Sequence, residues 1–220
     1  ILILFVSIYI MNRMASRLGR GQQQQQQRPN YFFGLKITNQ LINAQLKDVQ
    51  DRLSVRVPGI KRSLTSSDKF HLTVFVMTLK DPATELPIVK SLMSQAKTLM
   101  NEAYNNTPSK VTVSGIRSFS DRVLFAGLKQ DDDNVSLGKF AASLTKLFQD
   151  NKIDLEDRWS PHITLAKGRG GPEFTAAIND CAPYANTEYG VQMFASMDLM
   201  RIGSTDPITR YYEVTDTVQL

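Results

Sequence analysis

Two stretches, FHLTVFVMTL at residues 70–79 and PHITLAKG at residues 161–168, hold the only two histidines of this 220-residue chain. Each reads His-x-Thr inside an apolar, strand-like run. Side chains at i and i+2 of a strand leave the same face, so His71 and Thr73 point together, as do His162 and Thr164. Leu72, Val74 and Val76 are then expected to face a core, as are Ile163 and Leu165. Each motif is a small polar platform on an otherwise apolar strand. Pro161 cannot donate a ladder hydrogen bond and holds Ser160 extended, which fits the start of a strand at a sheet edge or cleft rim.

The segments around these strands alternate between short strands and amphipathic helices. Residues 31–38 read as a strand. Asn39 caps a helix through about Arg52, with Leu41, Ile42, Leu46, Val49 and Leu53 on one face. Asp81 followed by Pro82 starts a helix in the preferred order of cap and first-turn proline, and the pattern predicts one helix to about Tyr104. Strands are expected near 110–117 and 122–128. The acidic QDDDN run reads as a solvated turn and helix start rather than a metal site, ahead of a helix over about 136–150. The stripe of that helix, Leu137, Phe140, Ala141, Leu144 and Leu147, is read as a core face. PEFTAAINDCA predicts a further helix, and YGVQMFASMDLMRI and YYEVTDTVQL two closing strands. The two halves share the order strand, helix, His-x-Thr strand, which is the order an internal duplication would leave.

Residues 1–28 are set apart from residues 29–220, which are expected to form one domain. ILILFVSIYI is shorter than the roughly 20 residues that cross a bilayer and has no basic region ahead of it, so it reads as upstream sequence or part of an anchor. Met11 and Met14 are alternative starts, and Gln22 to Gln27 form a low-complexity linker with nothing apolar to bury. No acidic residue precedes Asp48. A solvated tail is the commoner origin of such a composition, which fits a cytoplasmic or nuclear protein; a mitochondrial targeting segment is the other. The single Cys181 excludes an internal disulfide, and no Cys/His spacing resembles a zinc site. A net charge of +5 favours anionic partners such as nucleotides, RNA or membrane surfaces without choosing among them.

A lone histidine beside a strand threonine is most often a hydrogen-bonded structural residue. With 16 threonines in 220 residues, chance rarely puts one two positions after both histidines, although the strand preference of threonine makes the coincidence less rare. Two histidines and two hydroxyls suit phosphodiester cleavage without a metal. One neutral imidazole accepts the proton of an attacking hydroxyl, an imidazolium protonates the leaving oxygen, and the threonines hold non-bridging oxygens. An unperturbed pKa near 6.5 lets both forms exist near neutral pH. A divalent ion would find too few ligands, since no acidic residue is fixed beside either motif.

On these residues the chain resembles the two-histidine (2H) phosphoesterase superfamily, which includes LigT-like RNA ligases and cyclic phosphodiesterases. It is most similar to the branch formed by the central domain of the gamma and delta A-kinase anchoring proteins. PNYFFGLKITN, FHLTVFVMTL, PHITLAKG and the late MDLMRIG and YYEV stand in the order and approximate spacing of that domain over residues 29–214. The resemblance implies an α+β, bilobed fold of two antiparallel sheets flanked by helices around a central cleft. It implies that His71 and His162 are the acid-base pair and that Thr73 and Thr164 hold phosphate, with no cofactor and no metal. It also implies binding of AMP or CMP and, in some members, hydrolysis of 2′,5′-oligoadenylate. Two functions follow: a phosphodiesterase acting on 2′,5′-linked or 2′,3′-cyclic phosphodiesters of RNA type, or a nucleotide-sensing or scaffold domain with little chemistry. Phe33 lies where relatives place an aromatic near the substrate; it either lines the site or packs in the core. Glu188, in TEYG, stands where the anchoring proteins carry a basic residue. By the same analogy the protein kinase A regulatory subunit is a partner, yet the C-terminal residues lack the i, i+3, i+4, i+7 apolar anchors of a docking helix. A monomer is expected.

Overall fold

A computed structural model of the chain describes residues 27–220. The sequence expectations for the leader fall, up to residue 26, outside the described residues. The chain runs β1 (Tyr31–Lys36), α1 (Gln40–Arg56), β2 (His71–Met77), α2 (Pro82–Met93), α3 (Ala96–Ala103), β3 (Lys110–Phe119), β4 (Val123–Leu128), α4 (Asp132–Asp150), β5 (Leu155–Glu156), β6 (Ile163–Lys167), α5 (Pro172–Asp180), β7 (Glu188–Met193), β8 (Ser196–Thr205) and β9 (Tyr212–Gln219). One sheet has the order β5-β2-β1-β8-β9 and the other β6-β4-β3-β7, and every pairing is antiparallel. The fold is thus α+β with two antiparallel sheets.

Local sequence accounts for most element ends. Asn39 Oδ1 accepts from the Leu41 and Ile42 amides and starts α1. Ile42, Leu46, Val49 and Leu53 are buried, but Leu41 is 61% exposed. It falls on the stripe of Gln45, Asp48 and Arg52, one step off the buried row. The acidic run begins α4 earlier than expected: Asp131 Oδ1 accepts from the Asn134 amide, and Asp132 and Asp133 sit in the positive first turn. The helix expected over 82–104 is two helices. It breaks at Ser94–Gln95, where the Ser94 hydroxyl donates to the Ser91 carbonyl at 2.6 Å and competes with the helix ladder.

The segment YGVQMFASMDLMRI also divides, into β7 of one sheet and β8 of the other. Phe194 is buried between them, and its amide donates to the Ser109 carbonyl. The chain therefore crosses from sheet to sheet at this point. Helices cross as well: α1 follows β1 yet packs on β7, while α4 follows β4 and puts Phe148 against Phe33 and Phe75 of the opposite sheet. One apolar cluster consequently runs from Phe33 and Leu35 through Phe148 to Leu124 and Ile163. Buried Gln192 ties the lobes with polar bonds, its Oε1 accepting from the Thr38 and Asn39 amides at 2.9 and 3.0 Å.

Candidate active site

The two His-x-Thr stretches occupy equivalent places. β2 pairs with β1 across helix α1, and β6 pairs with β4 across helix α4. Each carries a bulge directly after its threonine. Gly34 pairs with Thr73 and Phe33 with Phe75, which leaves Val74 unpaired; Phe125 pairs with Thr164 and Leu124 with Ala166, which leaves Leu165 unpaired. An extra residue reverses the phase of alternation. Burial follows suit, with Leu72, Val74 and Phe75 buried in one strand and Ile163, Leu165 and Ala166 in the other. Val76 therefore does not face the core as strict alternation predicts. It turns to the same side as His71 and Thr73, and Lys167 does the same beside Thr164.

β2 and β6 approach one another, and His71, Thr73, His162 and Thr164 line a single cavity of about 420 Å³ between the sheets. His162 stands just ahead of β6, held by Ser160 and Pro161, rather than within the strand. His71 Nδ1 lies 2.7 Å from the Lys69 carbonyl oxygen, and His162 Nδ1 lies 2.7 Å from the Ser160 carbonyl oxygen. A carbonyl can only accept, so each Nδ1 carries the hydrogen. Nε2 is left in both rings as the nitrogen free for the cavity, and in His71 it sits 3.1 Å from Thr73 Oγ1.

Aromatic rings flank both imidazoles. Phe32 and Tyr212 lie 5.2 Å from His71 between centroids, and Phe119 and Phe125 lie 5.1 and 5.4 Å from His162. Burial among its neighbours pushes the His71 pKa down to about 4, against the pull of the Lys69 carbonyl, and the nearby His162 lowers it further. His71 is accordingly neutral at pH 7. Lys69, Arg158 and Lys167 face the cavity with one carboxylate, Glu156, so its lining is net positive.

Phe33 is fully buried, packed against Phe75 and Phe148, and does not line the cavity. The aromatic beside the site is its neighbour Phe32, which the one-residue alternation of β1 turns to the opposite face. Glu188 pairs with Lys129 at 2.6 Å and is also outside the cavity. Motif reading missed Phe32, Lys69, Arg158, Lys167 and Tyr212. Lys69 had a signal, because it continues the i, i+2 series of His71 and Thr73. Lys167 had none, since only the bulge at Leu165 turns it inward. Buried Gln50 was missed too: its Nε2 donates to the carbonyls of Thr65 at 2.7 Å and Leu165 at 2.8 Å, pinning the bulge that follows Thr164.

A family model described as the AKAP7 2′5′ RNA ligase-like domain matches residues 29–220. The chain belongs to this family. Human A-kinase anchor protein 7 isoform gamma is 27% identical over 150 residues, which is 67% of this chain and 43% of that protein. The matched region is thus under half of the human relative's length. Among solved structures, a Thermus thermophilus protein, TT0787, superposes with a TM-score of 0.57 at 20% identity, covering 87% of this chain and 97% of that one. Escherichia coli LigT, solved with 3′-AMP, gives a TM-score of 0.50 at 13% identity over 87% and 97% of the two chains. At these identities the likeness is one of fold, and it places this AKAP7 2′5′ RNA ligase-like domain on the LigT-like 2H phosphoesterase architecture.

Proposed function

We propose that the chain is a metal-independent phosphodiesterase acting on RNA-type phosphodiesters of the 2′,5′-oligoadenylate or 2′,3′-cyclic phosphate class. The observation that carries this reading is the matched setting of the two imidazoles, each with Nδ1–H fixed on a carbonyl two residues upstream and Nε2 free for one cavity that both threonines line. When a phosphodiester enters, the Thr73 hydroxyl turns from His71 Nε2 to a non-bridging oxygen, and Thr164 holds another. Nε2 of neutral His71 then accepts the proton of the attacking hydroxyl as its oxygen bonds to phosphorus. His162, at the more open rim, donates from Nε2 as imidazolium to the leaving oxygen as that P–O bond breaks. Lys69, Arg158 and Lys167 offset the charge gathered on the phosphoryl oxygens.

The human relative is named for kinase anchoring, and this favours a second reading, a domain that binds AMP or CMP in the same cleft with little chemistry. Incubating purified protein with 2′,5′-oligoadenylate and with 2′,3′-cyclic nucleotides separates the two. Turnover of either supports the enzyme; AMP binding without turnover of any phosphodiester supports the sensing domain.

A further inference from the structure

A second cavity, about 570 Å³ in volume, lies on the other side of Ser160 from the cleft. Arg117, Phe119, Gln130, Asn134 and Trp159 line it, and Ser160 borders both spaces. Ser160 is the one lining residue the two share, and its carbonyl is the one that holds His162. Phe119 is 38% exposed at the end of β3, with its ring stacked on Phe125 at 4.1 Å and 21°. Both rings touch His162, so the aromatic shelf runs from the reacting group into the second cavity. Arg117 is exposed and forms no ion pair among the described residues. Gln130 donates its Nε2 to the Leu128 carbonyl at 3.2 Å, and its carboxamide and that of Asn134 bring donors and acceptors to the lining.

We propose that this cavity is a nucleoside subsite that takes the leaving-side nucleoside of an oligonucleotide whose scissile phosphate lies between His71 and His162. The inference rests on the phosphodiesterase reading, because His162 faces the leaving oxygen there. Aromatic faces, a guanidinium and carboxamides are the groups that stack a base, meet a phosphate and read a base edge in single-stranded nucleic acid. The volume is that of a small-ligand pocket. The preferred substrate is accordingly an oligonucleotide with a nucleoside on each side of the bond, ahead of a cyclic mononucleotide that leaves this cavity empty.

Trp159 is the single tryptophan of the chain and lines this cavity but not the cleft, so its emission reports on occupancy here. Wild-type protein is titrated with AMP and with adenylyl-(2′,5′)-adenosine joined by an uncleaved phosphorothioate. The dinucleotide is expected to quench Trp159 and to bind about tenfold tighter than AMP, the scale of one stacked base. Arg117→Ala should weaken the dinucleotide roughly fivefold to tenfold and leave AMP affinity within about twofold. Dinucleotide binding equal to that of AMP, or with unchanged emission, overturns the subsite. Hydrolysis of 2′,3′-cyclic AMP and of unmodified adenylyl-(2′,5′)-adenosine is followed on the same preparations. Turnover of the cyclic substrate with no dinucleotide quench overturns the subsite and leaves the cleft chemistry standing. Quenching with no turnover of either 2′,3′-cyclic AMP or unmodified adenylyl-(2′,5′)-adenosine overturns the chemistry and the leaving-side assignment but supports a nucleoside site in this cavity, and no nucleotide binding of any kind overturns both.

Discussion

His71 Nε2 lies 3.1 Å from Oγ1 of Thr73, two residues further along the same strand. Since His71 Nδ1 already donates to the Lys69 carbonyl, the neutral ring can only accept at Nε2, and the threonine hydroxyl donates to it. The carbonyl thus fixes the tautomer, and the bond at Nε2 holds the phosphate ligand in readiness. His71→Ala and His162→Ala are each expected to cost on the order of 10²–10⁴ in turnover while leaving the fold intact. The double variant should be little worse than the poorer single, because groups that act as a unit are not additive. Steady-state rates with circular dichroism as the folding control check this; near-normal turnover by either folded single variant ends the two-histidine mechanism.

Thr73→Val and Thr164→Val keep the branched shape and delete the hydroxyl. Loss of a hydrogen bond to a charged phosphate costs about 1.5–3 kcal/mol, so substrate affinity should fall roughly tenfold to a hundredfold. Melting temperatures should move little, since both side chains face the cavity. Phosphate titration beside thermal melts tests the split.

The low His71 pKa makes stability depend on pH in a stated direction. Its folded value is about 4, below the usual 6.5. Between these limits the unfolded chain binds more protons, so this group adds nothing above pH 6.5 and subtracts stability as pH falls from 6.5 towards 4. The full effect is on the order of 3 kcal/mol. Urea unfolding at pH 4.5 and 7 should show a larger gap for wild type than for His71→Gln; equal gaps refute the assignment.

Gln50→Leu removes the donor that both the Thr65 and Leu165 carbonyls accept from. One of them, Leu165, also accepts the Thr65 amide, so the loss falls mainly on Thr65. A destabilisation of about 1–3 kcal/mol is expected. Catalysis should fall as well, because the freed segment borders the bulge after Thr164. A substitution that lowered stability with kcat and KM unchanged would show that Gln50 only holds the fold.

With both proton transfers assigned to imidazoles and phosphate held by hydroxyls and cations, turnover should survive excess EDTA. Activity lost with chelator and restored by zinc or manganese would contradict the mechanism.

The His-x-Thr platforms, the Asn39 and Asp81 caps and most of the buried stripes of α1 and α4, though not the exposed Leu41, were legible in the sequence. They depend on periods of 2 and 3.6 and on hydrogen bonds within a few residues, and such local interactions are written in adjacent letters. The sequence by itself thus determined that two polar pairs would stand on apolar strands, and which side chains each pair would contain. Only the tertiary structure decided what surrounds them. The bulges at Val74 and Leu165 arise from pairing with β1 and β4, and they alone turn Val76 and Lys167 toward the cavity. Phe32 rather than Phe33 meets His71 because the core against Phe148 claims one face of β1. β7 and β8 part at Phe194 because that ring is buried where the chain changes sheets. The depressed pKa of His71, and the meeting of residues 91 positions apart, exist only once β2 and β6 are brought across from each other, since burial and electrostatic proximity belong to packed space and have no period along the chain.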